Sequence, residues 1–274
     1  MKNRKKLTTL APVLLLALFL CACGGSRTET DLTVFAAASM QESLTELGEA
    51  YMRDHENIRL TFNFDSSGTL KTQIQEGAVC DIFISAGQRQ MDQLDAAASA
   101  EVNTEGLDFV QPGTRFDLLE NKVVLAVPEG NPANIQSYDD LRERLERGSG
   151  VLLAMGNGDV PVGQYTQRIF AFWGLDEEAI SGSGCITYGS NVKEVTTQVS
   201  EGAVDCGIIY GTDASSAGLT VVDTATAEMC GQVIYPAAVL NISGHPDEAQ
   251  AFLDYIRSAD GAAVLERTGF TPLG

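Results

Sequence analysis

The sequence predicts an α/β protein made of two similar lobes, each with a mixed, mainly parallel sheet, meeting along a ligand cleft. Three observations predict it. Short runs rich in Val, Ile and Phe alternate with segments of helical period, the pattern of strands joined by crossover helices. One junction recurs, as Gln75-Glu76-Gly77-Ala78-Val79-Cys80-Asp81 and as Ser200-Glu201-Gly202-Ala203-Val204-Asp205-Cys206. Each copy reads as a helix end, a Gly in the left-handed position that follows it, and a new strand. Gly after a helix is common, so chance recurrence is the competing account. Finally, a turn-rich stretch over 111–121 parts the halves without a long flexible linker, which brings them together.

The elements follow in chain order. Lys2, Arg4, Lys5 and Lys6 precede an apolar run over 7–20 that is too short to span a membrane stably, which reads as a secretory signal over 1–22. The run ends in Leu20-Cys21-Ala22-Cys23-Gly24, which resembles a bacterial lipobox. Cys23 is then the lipidation site and 23–30 a polar tether, placing the body outside the cytoplasm on the cell membrane. An ordinary signal peptide with two incidental Cys is the plainer reading. Strands are expected at 32–36, 58–64, 81–85, 123–127, 151–154, 206–210 and 233–240. Met40, Leu44, Leu47 and Tyr51, spaced to share one helix face, place a helix between the first two. The expected division is 31–112 plus 228–274 for lobe 1 and 113–227 for lobe 2.

Composition removes whole classes of function. The 274 residues carry 18 Lys+Arg against 37 Asp+Glu, a formal charge of −19, opposite to what phosphate backbones require, so no nucleic-acid partner is expected. Loss of the signal's four cations would leave the body more acidic still. The remaining cysteines, Cys80, Cys185, Cys206 and Cys230, sit in no CxxC and have no His at ligand spacing. Buried free thiols and one disulfide both fit them. The two His residues, His55 and His245, lie in polar, turn-like surroundings. Neither a zinc site nor any cofactor is expected.

No catalytic constellation is present. GxSxG, HExxH and Walker loops are missing, and Gly156-Asn157-Gly158 fails as a phosphate fingerprint because Pro161 stands where the third Gly is needed. What recurs is a strand ending in small polar residues with a helix start directly after it. Four such junctions occur: Ala36-Ala37-Ala38-Ser39 with Glu42 three residues on, Asp65-Ser66-Ser67-Gly68-Thr69, Asp159-Val160-Pro161-Val162-Gly163-Gln164-Tyr165, and Ser190-Asn191-Val192-Lys193-Glu194. Taken singly, each is helix capping that needs no ligand. Taken together in one cleft, they would bind an oxyanion, because helix starts carry unpaired N–H groups and partial positive charge. A site made only of donors accepts a fully ionised tetrahedral dianion and penalises one that brings its own proton.

At these loops the chain resembles the molybdate-binding proteins of bacterial molybdate ABC transporters. The matching residues are Val34-Phe35-Ala36-Ala37-Ala38-Ser39, Ser66-Ser67-Gly68-Thr69-Leu70, Asp81-Ile82-Phe83-Ile84-Ser85-Ala86, Val160-Pro161-Val162-Gly163-Gln164-Tyr165, Gly207-Ile208-Ile209-Tyr210-Gly211-Thr212-Asp213-Ala214 and Gly269-Phe270-Thr271-Pro272, in order along nearly the whole body. The resemblance implies a type II periplasmic binding protein, two α/β lobes closing on ligand. It implies hydroxyl and backbone donors from Ser39 and Ser67, backbone N–H donors from Val162 and Val192, and the phenol of Tyr210. Ser66 is the alternative to Ser67. The family often has a third Ser where Gly68 stands and a smaller residue where Val162 stands.

The expectation is a monomeric lipoprotein, not an enzyme, that captures molybdate and also tungstate and hands it to an ABC transporter permease, touching the membrane through its lipid alone. Another tetrahedral oxyanion such as sulfate keeps the same fold. A secreted serine hydrolase using Ser39 or Ser67 would need a base that neither His supplies. An adhesive surface lipoprotein would leave the helix-start loops unexplained.

Overall fold

The structure, a computed structural model, describes residues 29–148 and 150–273. The signal segment, Cys23 and most of the tether lie outside the described residues.

Lobe 1 starts with β1 (Thr30–Ala37), a 3-10 turn over Ala38–Met40, α1 (Gln41–Asp54), β2 (Ile58–Asp65), α2 (Ser67–Gln75), β3 (Ile82–Ile84), α3 (Gln88–Asp92) and β4 (Phe116–Asn121). The chain then crosses into β5 (Val123–Val127), α4 (Tyr138–Arg147), β6 (Leu153–Gly156), α5 (Pro161–Trp173), α6 (Glu177–Gly182), β7 (Ile186–Gly189), α7 (Val192–Ser200), β8 (Cys206–Tyr210), α8 (Gly211–Ser216), β9 (Thr220–Thr224) and α9 (Ala227–Cys230). It returns as β10 (Val233–Val239), α10 (Pro246–Arg257), α11 (Ala259–Arg267) and β11 (Thr271–Pro272).

Two mixed sheets result. One has the order β11-β4-β10-β3-β1-β2 and the other β7-β6-β8-β5-β9. In the first, β1 pairs parallel with β2 and β3, and β10 pairs antiparallel with β3 and β4. In the second, β6 pairs parallel with β7 and β8, and β5 pairs antiparallel with β8 and β9. Apart from β11, which has no counterpart in the second sheet, the lobes share one topology, with β1, β2 and β3 answering to β6, β7 and β8. The repeated junction has its cause here: Gly77, at φ +90°, and Gly202, at φ +65°, follow α2 and α7 just before the equivalent strands β3 and β8. Both hold the backbone where a Cβ would be strained.

The apolar runs are buried where helices cover both sheet faces, as in β5 and β8, every residue of which is buried. Tyr210, Tyr235, Phe83, Phe170 and Phe252 are the bulkiest fully enclosed side chains. The strand expected at 151–154 runs instead from Leu153 to Gly156, because pairing with Ile186 and Cys206 begins at Leu153 and the Asp205 carboxylate takes the N–H of Leu152.

Sheet pairing also shifts the lobe boundaries. The sequence reading ended the first segment of lobe 1 at 112, yet Phe116–Asn121 pairs with β10 inside the first sheet. It reopened lobe 1 at 228, yet Arg168 Nη1 on α5 holds the Cys230 carbonyl at 3.1 Å, keeping α9 with lobe 2. The crossings therefore fall at Lys122 and at Gly231-Gln232. Strands β4, β7, β9 and β11 were not expected: β7 and β11 are short, and β9 is partly exposed. All four described cysteines are free and buried, which resolves the choice between thiols and a disulfide. Burial pushes the Cys80 and Cys206 thiols up, away from reactive thiolate.

Candidate binding site between the lobes

In open α/β sheets ligand sites form beyond the carboxyl ends of parallel strands. Each lobe has three such ends, and all six face one cavity. From lobe 1 come Ala37–Ser39 after β1, Asp65–Ser67 after β2 and Ala86 after β3; from lobe 2 come Val160–Val162 after β6, Val192 after β7 and Tyr210 at the end of β8. The cavity's enclosed space is small, about 10 Å³, or about 200 Å³ with the open approach counted. Ser39, Ser67, Val162, Val192 and Tyr210 all line it, and none is more than 4% exposed.

The two serines of α2 divide the work. Ser66 is the N-cap, its Oγ accepting the Thr69 N–H at 3.1 Å. Ser67 is therefore not needed for capping. Its Oγ accepts the Ala86 N–H at 2.9 Å, which leaves its own proton for the cavity. Ser39 is not the helix cap its spacing to Glu42 suggests. It lies inside the 3-10 turn, which has no side-chain cap, and its Oγ is 2.9 Å from Tyr235 Oη.

Lobe 2 supplies backbone. Pro161 opens α5, no side chain caps that helix, and the Val162 N–H stands in its first turn, where no carbonyl one turn earlier can reach it. At α7 the Asn191 side chain caps the Glu194 N–H at 3.0 Å, and Glu194 reaches back to the Ser190 N–H at 2.7 Å. The Val192 N–H, between them, is used by neither. Tyr210 stands edge-on to both Tyr165 and Tyr235, which fixes its ring. Its phenolic oxygen is buried and has no hydrogen-bond partner among the described residues. Burial, with the Tyr235 phenol beside it, pushes its pKa well above 10, so the O–H stays a donor.

Over residues 32–271 the chain matches the family described as bacterial extracellular solute-binding protein. It belongs to that family. YvgL of Bacillus subtilis, named for a substrate-binding lipoprotein role in ABC transport, is 31% identical over 97% of this chain and 98% of its own. The molybdate-binding protein ModA of Escherichia coli is 30% identical over 89% and 90% of the two chains. Among solved structures, the substrate-binding domain of a molybdenum ABC transporter protein from Clostridium difficile aligns with a TM-score of 0.63 at 28% identity, covering 89% of this chain and 99% of that one.

The two lobes meet across this cavity. The Gly68 Cα lies directly against the Asp159 backbone, where a Cβ would collide with the Asp159 carbonyl oxygen. Beside this seam Asn191 Nδ2 donates to Asp65 Oδ1 at 3.2 Å. Further out, Lys193 Nζ on α7 reaches Glu42 Oε1 on α1 at 2.8 Å and Asp213 Oδ1 on α8 at 3.1 Å. Burial alone raises the Glu42 carboxyl, but the hydrogen bond and charge of Lys193 outweigh it and hold the pKa below the usual range. Asp213 is deeper; burial wins over Lys193 there and pushes its pKa up to about 6. Outside the seam the cleft widens into an open polar hollow lined by Lys71, Arg89, Gln90, Asp159 and Gln164.

None of the described residues lining the small cavity is Lys, Arg or His, and the one carboxylate among them is Asp65, whose Oδ1 is engaged by the Ser66 N–H and by Asn191. Such an enclosure can bind an anion by neutral donors alone. Sequence reasoning did not single out Ala86, Asp65, Asn121 or Tyr235. Ala86 does carry a sequence signal, since it closes Asp81-Ile82-Phe83-Ile84-Ser85-Ala86, a third strand end of the same kind. Asn121 and Tyr235 carried no local signal.

Proposed function

We propose that this solute-binding protein captures molybdate, and tungstate with it, and delivers the anion to the permease of an ABC importer. One observation carries the reading: in the cavity between the lobes, the buried Tyr210 O–H has no hydrogen-bond partner among the described residues, while helix starts and serine hydroxyls face the same space. A buried donor left unpaired costs about 1–3 kcal/mol, so the arrangement favours a ligand that accepts. Ser39 and Ser67 would donate from lobe 1, and the N–H groups of Val162 and Val192 with the Tyr210 phenol from lobe 2. Four oxygens of a tetrahedral dianion would take bonds from both sides. Only a ligand that bridges both lobes gains from closure, so binding would hold the closed form.

The choice of anion draws support from ModA of Escherichia coli, named for binding molybdate. Anchoring through Cys23, suggested by the lipobox, would keep the receptor beside its permease, acting as a monomer. The hydrolase reading has nothing to draw on. His55 Nδ1 is engaged with the Tyr51 carbonyl at 2.9 Å, and neither Ser39 nor Ser67 has a histidine partner.

Thermal melts of the chain from Thr28 onward test this, with molybdate, tungstate, sulfate and phosphate added separately, since a ligand bound only by the folded state raises the melting temperature. Molybdate and tungstate are expected to raise it most, sulfate much less and phosphate least. A rise with sulfate or phosphate alone, or with none, overturns the assignment.

A further inference from the structure

Ser39 and Ser67 face the same cavity, but different groups aim their hydroxyls. At Ser67 a backbone N–H does it. At Ser39 the neighbour is another hydroxyl, Tyr235 Oη at 2.9 Å, and distance alone leaves either oxygen able to donate. The group beyond Tyr235 decides. Asn121 Nδ2 lies 3.2 Å from Tyr235 Oη and has only hydrogens to offer, so Tyr235 must accept from it. The amide cannot be turned round, because its Oδ1 takes the Lys122 N–H at 2.8 Å while Nδ2 also serves Thr212 Oγ1 at 3.0 Å. Were Ser39 to donate, the buried Tyr235 proton would meet no acceptor among the described hydrogen bonds, so Tyr235 donates its single proton to Ser39 Oγ. Burial raises the Tyr235 phenol, so that proton stays on. Ser39 then keeps its own proton for the spaces it lines, which are the inter-lobe cavity and a hollow shared with Glu42, Ser43 and Thr268.

We propose that Asn121 and Tyr235 are positioning residues that lock Ser39 as a donor toward the bound anion, and so set the site against anions that carry a proton. The inference rests on the cavity being the anion site. Asn121 is the last residue of β4, at the crossing into lobe 2, and Thr212 follows Tyr210 by two residues, so the relay is anchored where the lobes join.

Asn121→Asp keeps the shape and reverses the polarity. A carboxylate there accepts from Tyr235, Tyr235 no longer donates to Ser39, and Ser39 turns its proton to Tyr235 and a lone pair to the ligand. Calorimetric titration at pH 7 should show affinity for the best-bound of molybdate, tungstate and sulfate falling tenfold to a hundredfold, roughly one charge-assisted hydrogen bond. In the Tyr235→Phe background the relay is already cut, and the same Asn121→Asp change should cost a factor at least about fivefold smaller. Repulsion by the added carboxylate is common to both backgrounds, so the coupling isolates the relay. Tyr235→Phe alone adds a measurement that needs no buried charge: the ratio of sulfate to phosphate affinity should fall, since an unlocked Ser39 can accept the proton of hydrogen phosphate. Equal cost of Asn121→Asp in both backgrounds, or equal weakening of sulfate and phosphate by Tyr235→Phe, overturns the relay while leaving the function intact. A parent chain that binds none of the four anions overturns both.

Discussion

The two lobes share one topology and put equivalent strand ends at the cavity, yet they offer different chemistry there. Lobe 1 presents hydroxyls, Ser39 and Ser67, each of which needs a partner to set its direction, Tyr235 in one case and the Ala86 N–H in the other. Lobe 2 presents the starts of α5 and α7, whose N–H groups point by construction, plus one phenol. A backbone donor cannot reverse, whereas a hydroxyl can, so the lobe that uses side chains carries the supporting hydrogen bonds. The duplicated scaffold supplies the positions, and local side chains decide how each position becomes a donor.

The sharpest way to break the pairing of the lobes is at their seam. Gly68→Ala places a methyl group against the Asp159 carbonyl, and backbone cannot give way cheaply. Affinity should fall on the order of a hundredfold, the cost of losing one lobe's bonds, while the ligand-free melting temperature stays within a few degrees. Titration calorimetry and a melt check the two halves of this expectation, and undiminished affinity would mean that closure does not pass through that contact.

Removing one donor from each lobe separates the two designs. Ser67→Ala should lower both affinity and ligand-free stability, the latter by about 1–3 kcal/mol, because the Ala86 N–H is left buried and unpaired. Tyr210→Phe should lower affinity by about tenfold and leave the ligand-free protein as stable or more so, since the O–H it deletes has no partner to strand among the described residues. Urea melts with and without anion compare them. Equal stability losses would erase the distinction between supported and unsupported donors.

A smaller, pH-dependent contrast lies behind the cavity. Asp213 has its pKa raised from an ordinary 3.8 to about 6 by burial, against the pull of Lys193. Between these values the folded state holds a proton that the unfolded chain has released, so this group's contribution to stability falls as pH rises through about 4 to 6. The penalty is complete above about 6 and amounts to about 3 kcal/mol at most. Asp213→Asn should therefore gain stability relative to the parent between pH 4.5 and pH 7, measured by urea melts at both. An unchanged difference would show that the carboxylate titrates normally.

The least effect is expected at the rim. Glu42→Gln removes the lobe 1 end of the Lys193 bridge, where the Glu42 side chain is 46% exposed and solvent screens the pair. Affinity should drop less than about fivefold, and the drop should shrink as salt rises.

Much of the molecule was legible in the chain. Seven strands, the α1 face through Tyr51 and the two helix-to-strand junctions show in short-range patterns, because each is set by side chains a few residues apart. Asp117, Glu120 and Asn121 interrupt the apolar residues of β4, so the sequence predicts a turn there, and only pairing with β10 and β11 makes it a strand. The candidate site was legible through its helix starts, which are local, and through motif order. Ser39's spacing to Glu42 suggested a cap because both residue types suit one; a hydroxyl 196 positions away in the chain claims it instead.

By itself, then, the sequence determined two α/β halves with repeated helix starts after small polar strand ends, and residue types that can donate without positive charge. Tertiary structure decided that those starts face one another, that Ser66 caps while Ser67 faces the cavity, and that Asn121 stands behind Tyr235. Helix capping and strand periodicity are fixed by neighbours in the chain, but the direction of a buried hydroxyl depends on whichever donor packing brings beside it.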